Sequence, residues 1–214
     1  YMMFKKILIA NRGEIACRIN KTAQRLGIKT VGVYSDADKY SRHSKLVNES
    51  YLIGPPAPQS SYLVSSHILE VAVNTGAEAV HPGYGFLSEN AGFVKDLEND
   101  NIKFIGPGVH AITSMGSKSE SKNIMTKANV PCVPGYHGDN QDPHFLLNEA
   151  KKMGFPVMLK AVLGGGGKGM RIVRQESEFY QMLDEAKREG MKGFADDKML
   201  IEKYIENPRH IEFQ

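Results

Sequence analysis

Four successive glycines, Gly164 to Gly167, are followed by Lys168 and Gly169 and lie between two short apolar runs, Val157–Val162 and Met170–Val173. A backbone almost bare of side chains lets its N–H groups approach a ligand closely and cradle an anion, with a phosphate as the best fit. Lys160 stands inside the first apolar run, where a cation needs a reason, and a phosphate held by the adjoining glycines supplies one. A plain exposed hairpin would carry the same glycines. The pattern is not a Walker A loop, because that motif needs Gly-Lys-Ser/Thr opening a helix, whereas Lys168 is followed by Gly169 and Met170 at the start of a strand.

Other polar residues sit where chemistry is possible. Lys118 and Lys122 are one turn apart on a predicted helix, and Lys122 is read as part of a solvated face. Glu202 lies in the strand pattern Met199–Ile205. Met199 and Ile201 share one face of that strand, and Leu200, Glu202 and Tyr204 share the other. Pro82-Gly-Tyr-Gly-Phe-Leu-Ser88 leaves the end of a buried strand, where ligands of parallel sheets usually sit. Arg12 and Glu14 are read as structural, pinning the first helix to its neighbours, and Asp36 to Leu46 as a solvated loop.

The elements that position these residues follow from periodicity. Strand patterns at Lys6–Ala10, Thr30–Tyr34, Glu49–Ile53, Ala77–His81 and Lys103–Ile105 alternate with helices. The first helix places Ile15, Ile19, Ala23 and Leu26 on one face. The next is capped by Ser60 or Ser61 and buries Val64, Ile68 and Val71 or Ala72. A third starts at Glu89 behind a Ser88 cap and buries Phe93, Val94 and Leu97. This alternation predicts a Rossmann-like, doubly wound α/β domain over residues 1–112. The dinucleotide fingerprint G-x-G-x-x-G is absent, since the first turn has Gly13 alone, so NAD binding is not expected.

After Gly108 the pattern changes. Ser117-x-x-Glu120 is a capping box for a helix burying Ile124, Met125 and Ala128. Pro131–Pro143 reads as a long loop. Pro143 starts a helix with Phe145, Leu146 and Ala150 inward, ended by Gly154. The glycine hairpin follows, then a covering helix from Ser177 to Glu189 with Phe179, Leu183 and Ala186 inward. Arg209–Gln214 begins another strand, and the chain is read as a fragment of something longer.

Composition bounds the function. Among 214 residues, 41% are hydrophobic and 24% charged, an ordinary globular balance. A net charge of +3 is too small to argue for nucleic acid. No apolar run approaches the roughly 18 residues of a membrane span. Cys17 and Cys132 suggest neither a disulfide framework nor a metal site. The start, Tyr-Met-Met-Phe-Lys-Lys, is neither a signal nor a transit peptide.

Four segments, ILIANRGEIACRI (7–19), HPGYGFLSEN (81–90), KAVLGGGGKGMRIV (160–173) and IEKYIENPRHIEFQ (201–214), resemble the biotin carboxylase family from end to end. The local wording KAVLGGGGKGM and VPGYHGDNQD (133–142) is most similar to the biotin-containing subunits of 3-methylcrotonoyl-CoA carboxylases. Propionyl-CoA, acetyl-CoA and pyruvate carboxylases share the main motifs. The resemblance implies an N-terminal (pre-ATP-grasp) domain over 1–112. After it comes an α+β ATP-grasp domain with an antiparallel sheet over 113–214, incomplete at its C-terminus.

The implied reaction phosphorylates bicarbonate with ATP to carboxyphosphate, which carboxylates biotin on a carrier domain. A carboxyltransferase (beta) subunit then passes the carboxyl to an acyl-CoA. By resemblance Lys118 and Lys160 are phosphate lysines, Gly165, Gly166 and Gly167 a lid, and Met170 a base contact. Glu202 meets the adenine amino group, Lys203, Tyr204 and Ile205 complete the hinge, and His210 lies near ribose and phosphates, although a histidine on a short strand is commonly structural. Tyr84 and Gly85 lie toward biotin and bicarbonate, or else form a tight turn packing one domain on the next. The Mg2+ ligands, the bicarbonate arginine and the general base fall beyond residue 214. The resemblance also implies a hetero-oligomer in the mitochondrial matrix, with a bacterial cytoplasm as the alternative. Another ATP-grasp ligase, such as a carbamoyl-phosphate or amino-acid ligase, would share the glycine hairpin but not HPGYGFLSEN.

Overall fold

The computed structural model describes residues 3–116, 118–162 and 169–211, and of Lys118 and Ser119 the backbone alone. The chain divides into two compact units, residues 1–117 and 118–214.

The first unit carries a five-stranded sheet: β1 (Lys6–Ile9), β2 (Lys29–Ser35), β3 (Glu49–Gly54), β4 (Ala79–His81) and β5 (Lys103–Phe104), in the order β3-β2-β1-β4-β5. All neighbours are parallel. Parallel strands need both faces covered, and β1 shows how. Leu8 joins a core with Ile68 and Ala72 of α3 (Ser65–Thr75) and Phe93 and Leu97 of α4 (Ala91–Asn99). Its neighbours Ile7 and Ile9 join a second core with Ala16, Ile19 and Ala23 of α1 (Gly13–Arg25). Alternate side chains thus feed opposite layers, the doubly wound arrangement expected.

Several local expectations are corrected. Neither Ser60 nor Ser61 caps α3; its N-cap is Val64, and the Ser61 hydroxyl bonds the Ala57 carbonyl. Ser88 does not cap α4; Asn90 does, its side chain accepting from the Phe93 N–H at 2.9 Å. Leu26 lies past the last turn of α1 and is 46% exposed, so it does not join that helix's apolar face. The polar stretch after β2 is no solvated loop. It forms a 3-10 turn at Asp36–Asp38 and α2 (Arg42–Leu46), which buries His43 and Ser44. Asn90→Ala should lower stability by about 1 kcal/mol in urea unfolding, because it orphans one N–H of the first turn of α4.

α5 (Val109–Gly116) closes the first unit, and α6 (Lys118–Lys127) opens the second. The Ser117 half of the expected capping box lies outside the described residues. Ile124 and Met125 are half-buried, and Ala128, expected inside, is exposed. The loop expected over 131–143 holds a short strand, β6 (Gly135–Tyr136). It edges a four-stranded antiparallel sheet with β7 (Val157–Ala161), β8 (Met170–Val173) and β9 (Met199–Lys203), in the order β6-β9-β7-β8. α7 (Pro143–Met153) and α8 (Phe179–Phe194) pack on this sheet. Leu146, Leu147, Ala150, Phe179, Leu183 and Ala186 meet Val157, Leu159, Ala161, Val173, Met199 and Ile201 in one core. Residues 209–211 carry no strand, and 212–214 lie outside the described residues.

Candidate functional site

The face of the second sheet turned away from α7 and α8 follows from register. Lys160 stands opposite Leu200 on β9 and Met170 on β8, and Met158 stands opposite Glu202 and Ile172. Directly opposed residues share a face, so Met158, Lys160, Met170, Ile172, Leu200 and Glu202 line it together. Gly135 on β6, opposite Glu202, continues the row without a side chain.

The polar groups converge on one carboxylate. The Lys160 ammonium donates to Glu202 Oε2. Lys122 Nζ lies 2.8 Å from Glu202 Oε1 and donates to the Val133 carbonyl at 3.1 Å. His137 Nε2 is 3.6 Å from the same Oε1. Burial opposes the charge on Glu202, but hydrogen bonds from Lys122 and Lys160, with their charges, overcome it and hold the carboxyl at about 2. Burial first, then the charge of Lys122, pushes the His137 imidazole below its ordinary value, so it is neutral at pH 7. Two ammonium groups therefore face one carboxylate beside an apolar strip of Met158, Met170, Ile172 and Leu200. Such a surface suits a ligand with a flat apolar body and an anionic tail.

Of the residues singled out from sequence, the structure brings Lys160, Glu202 and Met170 to this face. Lys122, read as solvated, is corrected: its ammonium is tied to Glu202. His137 was missed altogether. Lys203 points to the opposite side, its Nζ donating to the Gly154 and Phe155 carbonyls at 2.9 and 3.0 Å. The Lys203 N–H is given to Pro134 O and the Tyr204 N–H to Pro156 O. Ile205 follows, 47% exposed. His210 is on the exposed segment after β9. Gly165, Gly166 and Gly167 and the Lys118 side chain lie outside the described residues.

In the first unit, the β4 end loop is held by Asn11, whose Nδ2 donates to the Pro82 and Tyr84 carbonyls at 2.7 and 2.8 Å. Gly83 has φ +65°, and a Cβ there would fall 2.7 Å from Asn11 Nδ2, so the loop must be glycine at that point. Tyr84 is half exposed, its hydroxyl donating to Glu14 Oε1 at 2.5 Å; Gly85 turns at φ +67°. Arg12 bonds Asp38 at 3.3 Å and lies over the Tyr62 and Phe86 rings. The Tyr62 and Ser35 hydroxyls also donate to Asp38. Arg12 and Glu14 are thus structural ties, and the Asp38 carboxylate is spent inside the unit.

The family description for the biotin carboxylase N-terminal domain matches residues 3–112, and that for the ATP-binding domain of the carbamoyl-phosphate synthase L chain matches 117–214. The chain belongs to the biotin carboxylase family. This family member is 56% identical over 209 residues to the mitochondrial methylcrotonoyl-CoA carboxylase subunit alpha of Dictyostelium discoideum, covering 98% of this chain and 30% of that one. It is 50% identical over 211 residues to the mitochondrial propionyl-CoA carboxylase alpha chain of Caenorhabditis elegans, covering 99% and 29%. It therefore spans less than a third of the curated relatives it matches. Among solved structures, a biotin carboxylase–β,γ-ATP complex from Campylobacter jejuni superposes with TM-score 0.82 at 45% identity, over 97% of this chain and 46% of that one. The biotin carboxylase domain of Hydrogenobacter thermophilus 2-oxoglutarate carboxylase, with MgADP, ADP and bicarbonate, gives 0.80 at 46% identity, over 97% and 46%.

Proposed function

We propose that the chain is the ATP-binding part of a biotin carboxylase, residues 1–112 forming its first domain and 113–214 the start of its ATP-grasp domain. In the whole enzyme, ATP and bicarbonate yield carboxyphosphate, and the carboxyl group goes to biotin on a carrier domain. The observation that carries this reading is the pairing of Lys160 with Glu202 on an apolar sheet face, with more positive than negative charge.

The residues fit the nucleotide in a definite way. Met170 and Met158, both half-buried beside the buried Leu200, offer an apolar bed for adenine. The N–H groups of Lys203 and Tyr204 are already taken within the unit, so the hinge N–H that reads the purine edge belongs to Ile205. Glu202 accepts the adenine amino group at Oε2 only as Lys160 turns toward phosphate, while Lys122 keeps its hold on Oε1. Lys160 and Lys118 hold the phosphates as mobile point charges. Gly165, Gly166 and Gly167 close over them and exclude water that would hydrolyse the intermediate. His210 approaches the ribose, and Tyr84 and Gly85 the biotin and bicarbonate side. Mg2+ neutralises phosphate charge, with ligands outside these 214 residues.

The finer assignment is methylcrotonoyl-CoA carboxylase of the mitochondrial matrix, acting in leucine breakdown with a carboxyltransferase beta subunit in a hetero-oligomer. It is favoured over a propionyl-CoA, acetyl-CoA or pyruvate carboxylase by the greater identity to the methylcrotonoyl relatives, 56% against 50% for the propionyl relative. The test is ATP hydrolysis with and without bicarbonate. The full-length chain should hydrolyse ATP only with bicarbonate, and the 214-residue chain alone should not turn over. Bicarbonate-independent hydrolysis by the former, or clear turnover by the latter, overturns the proposal. In the assembled enzyme, labelled bicarbonate should enter 3-methylcrotonoyl-CoA in preference to propionyl-CoA, and the reverse preference overturns the finer assignment.

A further inference from the structure

Lys122 is the cation at this site to which the family resemblance gives no role. Its geometry is that of a strut. It leaves α6, rests its ammonium on the Val133 carbonyl and ends on Glu202 Oε1. To get there it crosses β6 at Gly135, the residue directly opposite Glu202. A Cβ on Gly135 would stand 3.0 Å from Lys122 Nζ, 2.7 Å from His137 Nε2 and 2.8 Å from the Ile201 carbonyl. Two of these atoms end movable side chains, but the Ile201 carbonyl is backbone, so the position favours glycine and the Lys122 ammonium passes close beside it.

A carboxylate has two oxygens, and here each is held by a different ammonium. A lysine ammonium has three donors, and among the described residues the partner of Lys160 is Glu202 Oε2. Remove Lys122, and both oxygens of Glu202 are available to Lys160. The two then form a closed neutral pair that an incoming phosphate must break. With Lys122 in place, the carboxylate is shared, the group keeps a net positive charge, and Lys160 is only half neutralised.

We infer that Lys122 is a positioning residue for polyphosphate binding: by holding one oxygen of Glu202, it keeps Lys160 available to the phosphates of the nucleotide. The inference rests on the proposed ATP site and deepens it. It assigns Lys122 an effect on the anionic part of the ligand and none on its base.

The test is binding to the full-length protein, with ATP measured by calorimetry and adenosine by competition against ATP. Lys122→Met should weaken ATP about tenfold and adenosine by less than about twofold. Lys122→Arg keeps the charge and should bind ATP within about threefold of the parent. Unchanged ATP affinity in Lys122→Met overturns the inference. So does an equal loss for ATP and adenosine, which marks a merely structural strut, and so does an Arg variant as weak as the Met one. Lys160→Met run in parallel separates the two levels. If it binds ATP normally, the ATP site itself is wrong; if it loses ATP while Lys122→Met does not, only the role of Lys122 fails.

Discussion

Lys160→Met should weaken ATP binding about 100-fold and abolish bicarbonate-dependent hydrolysis in the full-length enzyme. The magnitude follows from what is lost. A hydrogen bond between charged partners contributes about 1.5–3 kcal/mol, and each ~1.4 kcal/mol is tenfold in affinity. Lys160 is flanked by an apolar strip and by β9, so water screens its charge less than on an open surface. The substitution should lower stability only modestly, by about 1 kcal/mol, because Glu202 loses one of its two ammonium partners. The Lys160 side chain keeps 30% exposure, methionine preserves the stem packed on the sheet, and Lys122 remains to hold Glu202. Loss of binding without loss of fold is therefore the diagnostic pair, read by calorimetry and by urea unfolding. Lys160→Arg should restore binding only in part, because a planar fork reaches a carboxylate well but cannot follow a phosphoryl group as a mobile point charge does. An unaltered ATP affinity in Lys160→Met removes the basis of the proposed site.

The two lysines show what a sequence can and cannot reveal. Lys160 was legible because period-two alternation puts it on the face opposite Leu159 and Ala161, and a cation within an apolar strand calls for a partner. Glu202 was legible for the same reason on β9. That Lys160 and Glu202 share one face needs only that β7 and β9 pair in antiparallel register, which the glycine hairpin and the strand that follows it suggest. Lys122 was not legible. On α6 it looks like any polar residue one turn from Met125, and its partner stands far along the chain, reached past Gly135 in a way that no local pattern encodes. The same distance dependence explains Asp38. In sequence it is an acid in a polar stretch; in space Tyr62, Ser35 and Arg12 close around it. Capping failed for a different reason. Ser88, Glu89 and Asn90 all suit a helix start, and propensity cannot choose among adjacent candidates; the φ −94°, ψ 99° backbone at Asn90 decides it.

Acid should destabilise the unit holding the second sheet, and Glu202 should account for a separable part of the loss. Its carboxyl is held at about 2 in the fold, against 4.5 for the free side chain. A depressed carboxylate stabilises the fold above its unfolded value and loses that contribution as pH falls through the folded one. The window is therefore pH 4.5 down to about 2. The shift corresponds to about 3 kcal/mol at neutral pH, an upper figure because both lysine stems keep contact with water. Asp38 is also held low, with burial working against hydrogen bonds from Tyr62, Ser35 and Arg12, so the total acid response is not specific to the site. The difference between the parent and Glu202→Gln is. Glutamine keeps the shape and one acceptor but no charge, so Lys122 and Lys160 would repel each other with nothing between them. At about pH 7 the variant should be about 2–3 kcal/mol less stable, and the gap should shrink through the window and approach zero only below about pH 2, measured by urea unfolding across the range. A gap that stays constant with pH would mean that the two lysines do not hold Glu202 ionised, and the charge arrangement inferred for the nucleotide site would fail with it.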